Sequence, residues 1–274
     1  LYSNFLAILN CLIGVINQSI NQYYKVNLPF TQMTLFYFTL LQTFWFKEAR
    51  QRKPLKDELK CILFSLMDFL SSYIVVLSYK FTNIASVLLL TSLSGPLSMI
   101  FSYFMLKQRY MPGKILSSLG CILFSAIFTL LDLQDDSKAL GDVLAIIGAM
   151  GYGLNTVYNE MLLGSHENTF VLSRLSFGFI IGLILMFSFE LQYLQQDYKF
   201  WLLLVSYPTA MLLFYGFQFH FIKNHGAVLF NVSMLSTNFY SYLSSVVIFK
   251  NDLNWVQVLP AVVVVASVGI YQVQ

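Results

Sequence analysis

Two stretches of the sequence carry side chains whose types and spacing suit chemistry. The first, "FNVSMLSTNFY" at 230–240, holds Asn231, Ser233, Ser236, Thr237, Asn238 and Tyr240 within eleven residues. The second, "FSLMDFLSSY" at 64–73, places Asp68 between Ser65, three residues before it, and Ser72, four after. On a helix such spacings share a face. Ser65, Asp68 and Ser72 then form a polar stripe; Asn231, Asn238 and Ser241 fall near one face, with Ser233, Thr237 and Tyr240 on the neighbouring one. Amides, hydroxyls and a phenol can bond to and stack on a small polar solute. A carboxylate adds a partner for an amine or a place for a proton. Catalytic groupings are not apparent. His166, His220 and His225 are scattered near loops, and Cys11, Cys61 and Cys121 fall in apolar runs and read as free buried thiols. No Ser-His-Asp set and no metal-ligand spacing emerges, so neither an enzyme nor a cofactor is expected.

The elements that must hold these residues are membrane helices. Hydrophobic residues make up 57% of the 274 and charged residues only 11%, with a mean hydropathy of +0.68; a soluble domain carries about 25% charged residues. The apolar runs are too long for barrel strands. Ten spans of roughly 20 residues fit, near 4–24, 29–46, 58–79, 84–106, 113–131, 140–163, 168–190, 199–222, 226–248 and 255–272. They leave only short loops. The first span contains Asn10, Gln18 and Asn21 and reads as a mature helix rather than a signal peptide.

Basic residues set the expected orientation. The loop "KEARQRKPLKDELK" (47–60) holds six Lys or Arg, and the loops after spans 4 and 8 add Lys107, Arg109, Lys114 and Lys223. The opposite loops hold Lys25, Lys80, Lys138, Lys199 and Lys250, beside an acidic "DLQDD". By the positive-inside rule both termini are expected in the cytoplasm. The net charge of +3 is then a topology signal and calls for no nucleic-acid partner.

An internal repeat is expected as well. "NIASVLLLTS" (83–92) and "NHGAVLFNVS" (224–233) match at Asn83/Asn224, Val87/Val228, Leu88/Leu229 and Ser92/Ser233; further on, a two-residue slip sets Lys107 against Lys250. This pairs span 4 with span 9, as two inverted five-helix halves (1–135 and 136–274) require. In that transporter plan the site lies near the midplane between the halves. Polar groups at membrane depth either glue helices together or line a cavity, and both readings stand for 230–240. Span 4 mirrors it: "TSLSGPLSMIFSYF" carries Ser94, Ser98 and Ser102, with Gly95-Pro96 as an expected kink and hinge. Asp68 is a functional carboxylate or a structural hydrogen-bond hub. Glu160, with Asn155 and Asn159 on one face, is a site residue or an interfacial carboxylate. Arg174 snorkels to the interface or binds an anionic solute.

"MDFLSSYIVVLSYKFTNIASVLLLTSLSGP" resembles the span 3–4 region of the solute carrier 35 proteins, and most of all their subfamily F, through Asp68, Tyr73 and Tyr79 ahead of "FTNIASVLLL". "LFNVSMLSTNFYSYLSSVVIF", "LPFTQMTLFYFTLL" and "LNTVYNEML" resemble its spans 9, 2 and 6, although this chain has Asn159 where the subfamily usually has a second acidic residue. The resemblance implies the drug/metabolite transporter fold: all-α, ten helices, an inverted five-plus-five repeat and a central cavity. It also implies a secondary transporter of a small polar solute, nucleobase-like or nucleoside-like. Expected solute-binding residues are Asp68, Tyr73, Ser94, Asn155, Glu160, Asn231, Ser233, Asn238 and Tyr240, with Gly95 and Pro96 as hinge. A nucleotide-sugar exchanger and an inactive transporter-derived subunit of a membrane complex remain the alternatives. A small-molecule substrate and membrane lipid are the expected partners, with a homodimer or complex partner left open. The organelle is open too, between endomembrane and plasma membrane.

Overall fold

The computed structural model describes residues 2–51, 53–113, 115, 120, 136–194 and 197–250. Span 10, Cys121 and nearly all of span 5 lie outside the described residues. Every regular element among the described residues is helical. Six stretches are long and apolar enough to cross a membrane: Tyr2–Tyr24, Leu55–Ser78, Ser86–Met105, Ala139–Leu163, Asn168–Phe189 and Tyr198–His225. They correspond to spans 1, 3, 4, 6, 7 and 8.

Local chemistry sets the helix boundaries. Helix α1 covers Tyr2–Tyr24. Helix α2, Pro29–Leu40, opens on a proline, whose missing N–H costs nothing at a first turn. The next N–H groups of α2, from Phe30 and Thr31, are taken at 3.0 and 2.7 Å by the Glu190 carboxylate. Span 2 then tightens into a 3-10 turn, Leu41–Trp45, instead of running on as one α-helix. The Thr39 and Thr43 hydroxyls donate to the Phe36 and Leu40 carbonyls at 2.6 Å, which competes with α-helical pairing. Helix α3, Leu55–Ser78, carries Asp57 and Glu58 in its first turn, at the positive end of its dipole.

Spans 4 and 9 are each broken in the middle. Span 4 is α4, Ile84–Thr91, followed by α5, Ser94–Met105. The side chain of Asn83 caps α4 by accepting from the Ser86 N–H at 2.9 Å. Pro96 falls in the first turn of α5, just past Ser92 and Leu93, which keep helical dihedrals, so its missing N–H lies where the helical ladder is interrupted. Helix α6 is Asp136–Leu163. Span 7 is also divided, into α7, Asn168–Leu175, and α8, Gly178–Phe189. Helix α9, Tyr198–His225, ends at Gly226, whose φ of +85° and ψ of 162° suit glycine alone. Span 9 continues as α10, Ala227–Ser233, a 3-10 turn at Met234–Ser236, and α11, Thr237–Val247.

The two broken spans meet. A Cβ on Gly95 would lie 3.9 Å from the backbone carbonyl carbon and oxygen of Asn231. Helices α3 and α6 are pressed together for a similar reason: Gly148 and Gly151 leave the space that Val75 and Ser71 fill. That approach brings Asp68 of α3 alongside Asn155 of α6. Elsewhere large apolar side chains point outward; Ile180, Ile184, Phe187 and Phe189 at the end of span 7 are 57–61% exposed, as a lipid-facing surface requires.

Candidate functional site

Asp68 sits halfway along α3 and is 1% exposed. Its Oδ2 accepts from the Tyr37 hydroxyl at 2.8 Å. Its Oδ1 accepts from the Asn155 amide at 2.7 Å and from the Tyr215 hydroxyl at 2.8 Å. Three neutral donors from α2, α6 and α9 thus converge on one carboxylate. Such donors satisfy a buried anion without neutralising it.

Asp68 lines a cavity bounded by α1, α3, α4, α5, α6, α9, α10 and α11. Among the described residues, no lysine, arginine or histidine lines it. One wall is the junction of the broken spans, where Asn231 accepts from the Ser94 hydroxyl at 3.2 Å. The same side chain donates to the Thr156 hydroxyl at 2.7 Å and to the Ala227 carbonyl at 3.1 Å. Aromatic surface comes from Tyr79, Tyr152, Tyr207, Phe214, Tyr215 and Phe230. The arrangement can hold a planar solute by stacking and by hydrogen bonds, with one negative charge in reach.

The sequence matches the family model described as solute carrier family 35, subfamily F, over residues 2–273. The chain belongs to solute carrier family 35, subfamily F. Solute carrier family 35 member F2 of Mus musculus is 25% identical over 97% of this chain and 76% of that protein. Its namesake in Xenopus tropicalis is 26% identical over 89% of this chain and 68% of that protein. An uncharacterized solute carrier family 35 member of Schizosaccharomyces pombe is 28% identical over 78% of this chain, a region spanning only 44% of that relative. A crystal structure shares the fold, with a TM-score of 0.73 at 15% identity over 99% of this chain and 96% of that one. This solute carrier family 35 member is therefore an integral, multi-pass membrane protein of a carrier family rather than of an enzyme family.

Within this solute carrier fold, the residues singled out in the sequence separate into two groups. Asp68, Ser94, Asn155 and Asn231 come together around the cavity. Five others do not line it. Tyr73 stacks on Phe30, with ring centroids 4.7 Å apart. Ser233 and Asn238 are buried beside the span 9 break, 1% and 2% exposed. Tyr240 packs edge-on against Phe239 at 5.6 Å. Glu160 accepts from the Ala227 N–H at 2.7 Å and the Gln108 amide at 3.0 Å, so it caps the start of α10 behind Gly226. Arg174 does not line the cavity. It grips Glu58 through two bonds of 2.6 and 2.9 Å, donates to the Ala49 carbonyl at 3.1 Å and stacks over Phe170 at 4.7 Å. It does not face the cavity; it reaches out to the 47–60 loop and clamps it to α7.

Sequence reasoning missed Gln218 and Asn17, which line the cavity together with Thr237, a residue it had set on the polar face of span 9 but not among the expected solute-binding residues. Asn17 lies beside Gln18, which the sequence did single out. Gln218 is one polar residue in the aromatic run "FYGFQFHF", where no spacing rule marks it. Glu190, cap of α2, was also missed; a carboxylate that ends one apolar run opposite the start of another was the available signal.

Proposed function

We propose that this chain is a secondary-active transporter that moves a small, planar, polar solute, neutral or cationic and most like a nucleobase or nucleoside. The observation that carries this reading is the cavity itself: stacking surface, amides and hydroxyls around one buried carboxylate, with no basic side chain lining it among the described residues. A phosphorylated solute needs fixed cations, and the candidate that the sequence offered, Arg174, is committed to Glu58.

In this reading Asp68 binds a solute amine or carries the coupling proton. Asn155, Ser94 and Asn231 position the solute, and Gly95 and Pro96 hinge the wall that α5 forms. Tyr73, Glu160, Ser233, Asn238 and Tyr240 shape the surrounding elements. Alternating access would then move the broken spans 4 and 9 against the rest. Two features support the ten-span, five-plus-five plan. Spans 4 and 9 break at corresponding positions. Lys107 and Lys250, aligned by the repeat, share left-handed backbones with φ of 56° and 54° just past α5 and α11. In that plan both termini face the cytoplasm.

The test is a thermal-stability screen of the purified chain in detergent against nucleobases, nucleosides, nucleoside monophosphates, nucleotide sugars and organic cations. A ligand at about 100 times its dissociation constant stabilises the folded state by about 2.7 kcal/mol. Stabilisation by an uncharged base or nucleoside supports the reading. Stabilisation by phosphorylated ligands alone replaces it with the exchanger, and a stable protein that answers to no ligand replaces it with the inactive subunit.

A further inference from the structure

Buried polar atoms in proteins almost always find a hydrogen-bond partner, and an unpartnered acceptor on a residue that lines a cavity is one that a bound solute can satisfy. Four belong to residues that line the cavity: Asn17 Oδ1, Asn155 Oδ1, Gln218 Oε1 and Thr237 Oγ1 have no partner among the described residues. The four residues are only 2–7% exposed. They come from α1, α6, α9 and α11, so they surround the space instead of clustering on one helix. Three of the four atoms are amide carbonyl oxygens, which only accept. The orientation of Asn155 is dictated by chemistry: its Nδ2 must face the Asp68 carboxylate, to which it donates at 2.7 Å, and this leaves Oδ1 free. Asn231, by contrast, has both ends of its amide engaged.

The geometry points to a cavity that selects its solute by the N–H and O–H donors the solute carries, with Asn155, Gln218 and Asn17 as the acceptors that read them. The inference rests on the transport reading above and narrows it, adding two specificity residues, Asn17 and Gln218. A solute that offers donors to these oxygens satisfies groups that are otherwise buried and unpaired. An isosteric solute with those donors blocked leaves them unpaired and sets methyl groups against them. Sites built to receive hydrogen bonds reject such analogues far more strongly than apolar pockets reject a missing methylene.

The experiment measures binding of two matched pairs to the purified full chain: guanosine against inosine, which lacks the 2-amino group, and adenosine against N6,N6-dimethyladenosine. The donor-bearing member of at least one pair should bind about tenfold tighter, the 1.4 kcal/mol equivalent of one hydrogen bond. Gln218→Met keeps the length and removes the acceptor. It should flatten the preference to near unity while the unliganded protein melts at the same temperature or higher, because an unpaired buried oxygen has gone. Asn17→Leu is the second variant, should the first fail to fold. Equal binding within both pairs by the wild-type chain overturns the inference and leaves the transport reading standing. A variant that melts lower yet keeps its preference marks its side chain as helix packing and also overturns it. Binding of none of the four removes the nucleoside-like reading, and the inference with it.

Discussion

Asp68 is held by Tyr37, Asn155 and Tyr215, and the function proposed for the cavity turns on its charge. Asp68→Asn keeps the shape but turns part of the acceptor into a donor that faces two hydroxyls and an amide. Charge-assisted hydrogen bonds contribute about 1.5–3 kcal/mol. Uptake of a cationic or proton-coupled solute should therefore fall about 30-fold while the purified protein still melts cooperatively; unchanged uptake with unchanged pH dependence would end the role assigned to Asp68. This residue was legible in the sequence because an ionisable group in an apolar run is costly wherever it sits. Asn231 was legible for a related reason, as one of several polar residues in a short stretch. Thr237 and Asn238 show where such reading stops. The 3-10 turn at Met234–Ser236 advances each residue by about 120° instead of 100°. Three such residues rotate α11 by about 60° relative to a continuous helix, bringing Thr237 toward the face of Asn231 and moving Asn238 away from it. A helical wheel drawn through 230–240 cannot register that rotation.

At the scale of elements, short breaks and polar caps place the site. Gly226 separates α9 from α10 in a backbone conformation open to glycine, and an added Cβ would approach Glu160 Oε1 at 3.3 Å. Gly226→Ala should cost about 2 kcal/mol, read as a fall in melting temperature, whereas a neutral outcome would mean that the turn relaxes freely. Glu160→Gln keeps the contact with the Ala227 N–H but loses its charge, and should cost about 1 kcal/mol. Arg174 ties the 47–60 loop to α7 through Glu58, the Ala49 carbonyl and two aromatic rings. Arg174→Ala should lower stability by about 2 kcal/mol through the unpaired Glu58 and lost packing. It should leave the affinity for an uncharged nucleoside unchanged, and a selective loss of binding without loss of stability would return Arg174 to the solute. The sequence announced the disruption of span 4 through Gly95-Pro96, but not its form. Pro96 falls in the first turn of α5, and the stop in α4 comes from Thr91 and Ser92, whose hydroxyls turn back onto the Leu88 and Leu89 carbonyls.

At the scale of the whole molecule, hydropathy located the long helices because bilayer thickness fixes their length. Span 2, expected near 29–46, is helical over 29–45, but its change from α to 3-10 at Leu41 was not legible, since the two forms have the same apolar composition. The charge bias leads to a further expectation: cysteines introduced at exposed Glu48 and at exposed Asn224 should react with an impermeant thiol reagent from the same side, and the cytoplasmic one. Labelling from opposite sides would undo the inverted plan. The proposal that the cavity carries an uncharged or cationic solute is tested most directly by counterflow. Purified protein in liposomes preloaded with unlabelled nucleoside should accumulate the same nucleoside in radiolabelled form. Excess nucleoside outside should block that uptake, Asp68→Asn should reduce it, and nucleotide sugar should leave it untouched. Counterflow driven by nucleotide sugars and absent with nucleosides would contradict the proposal.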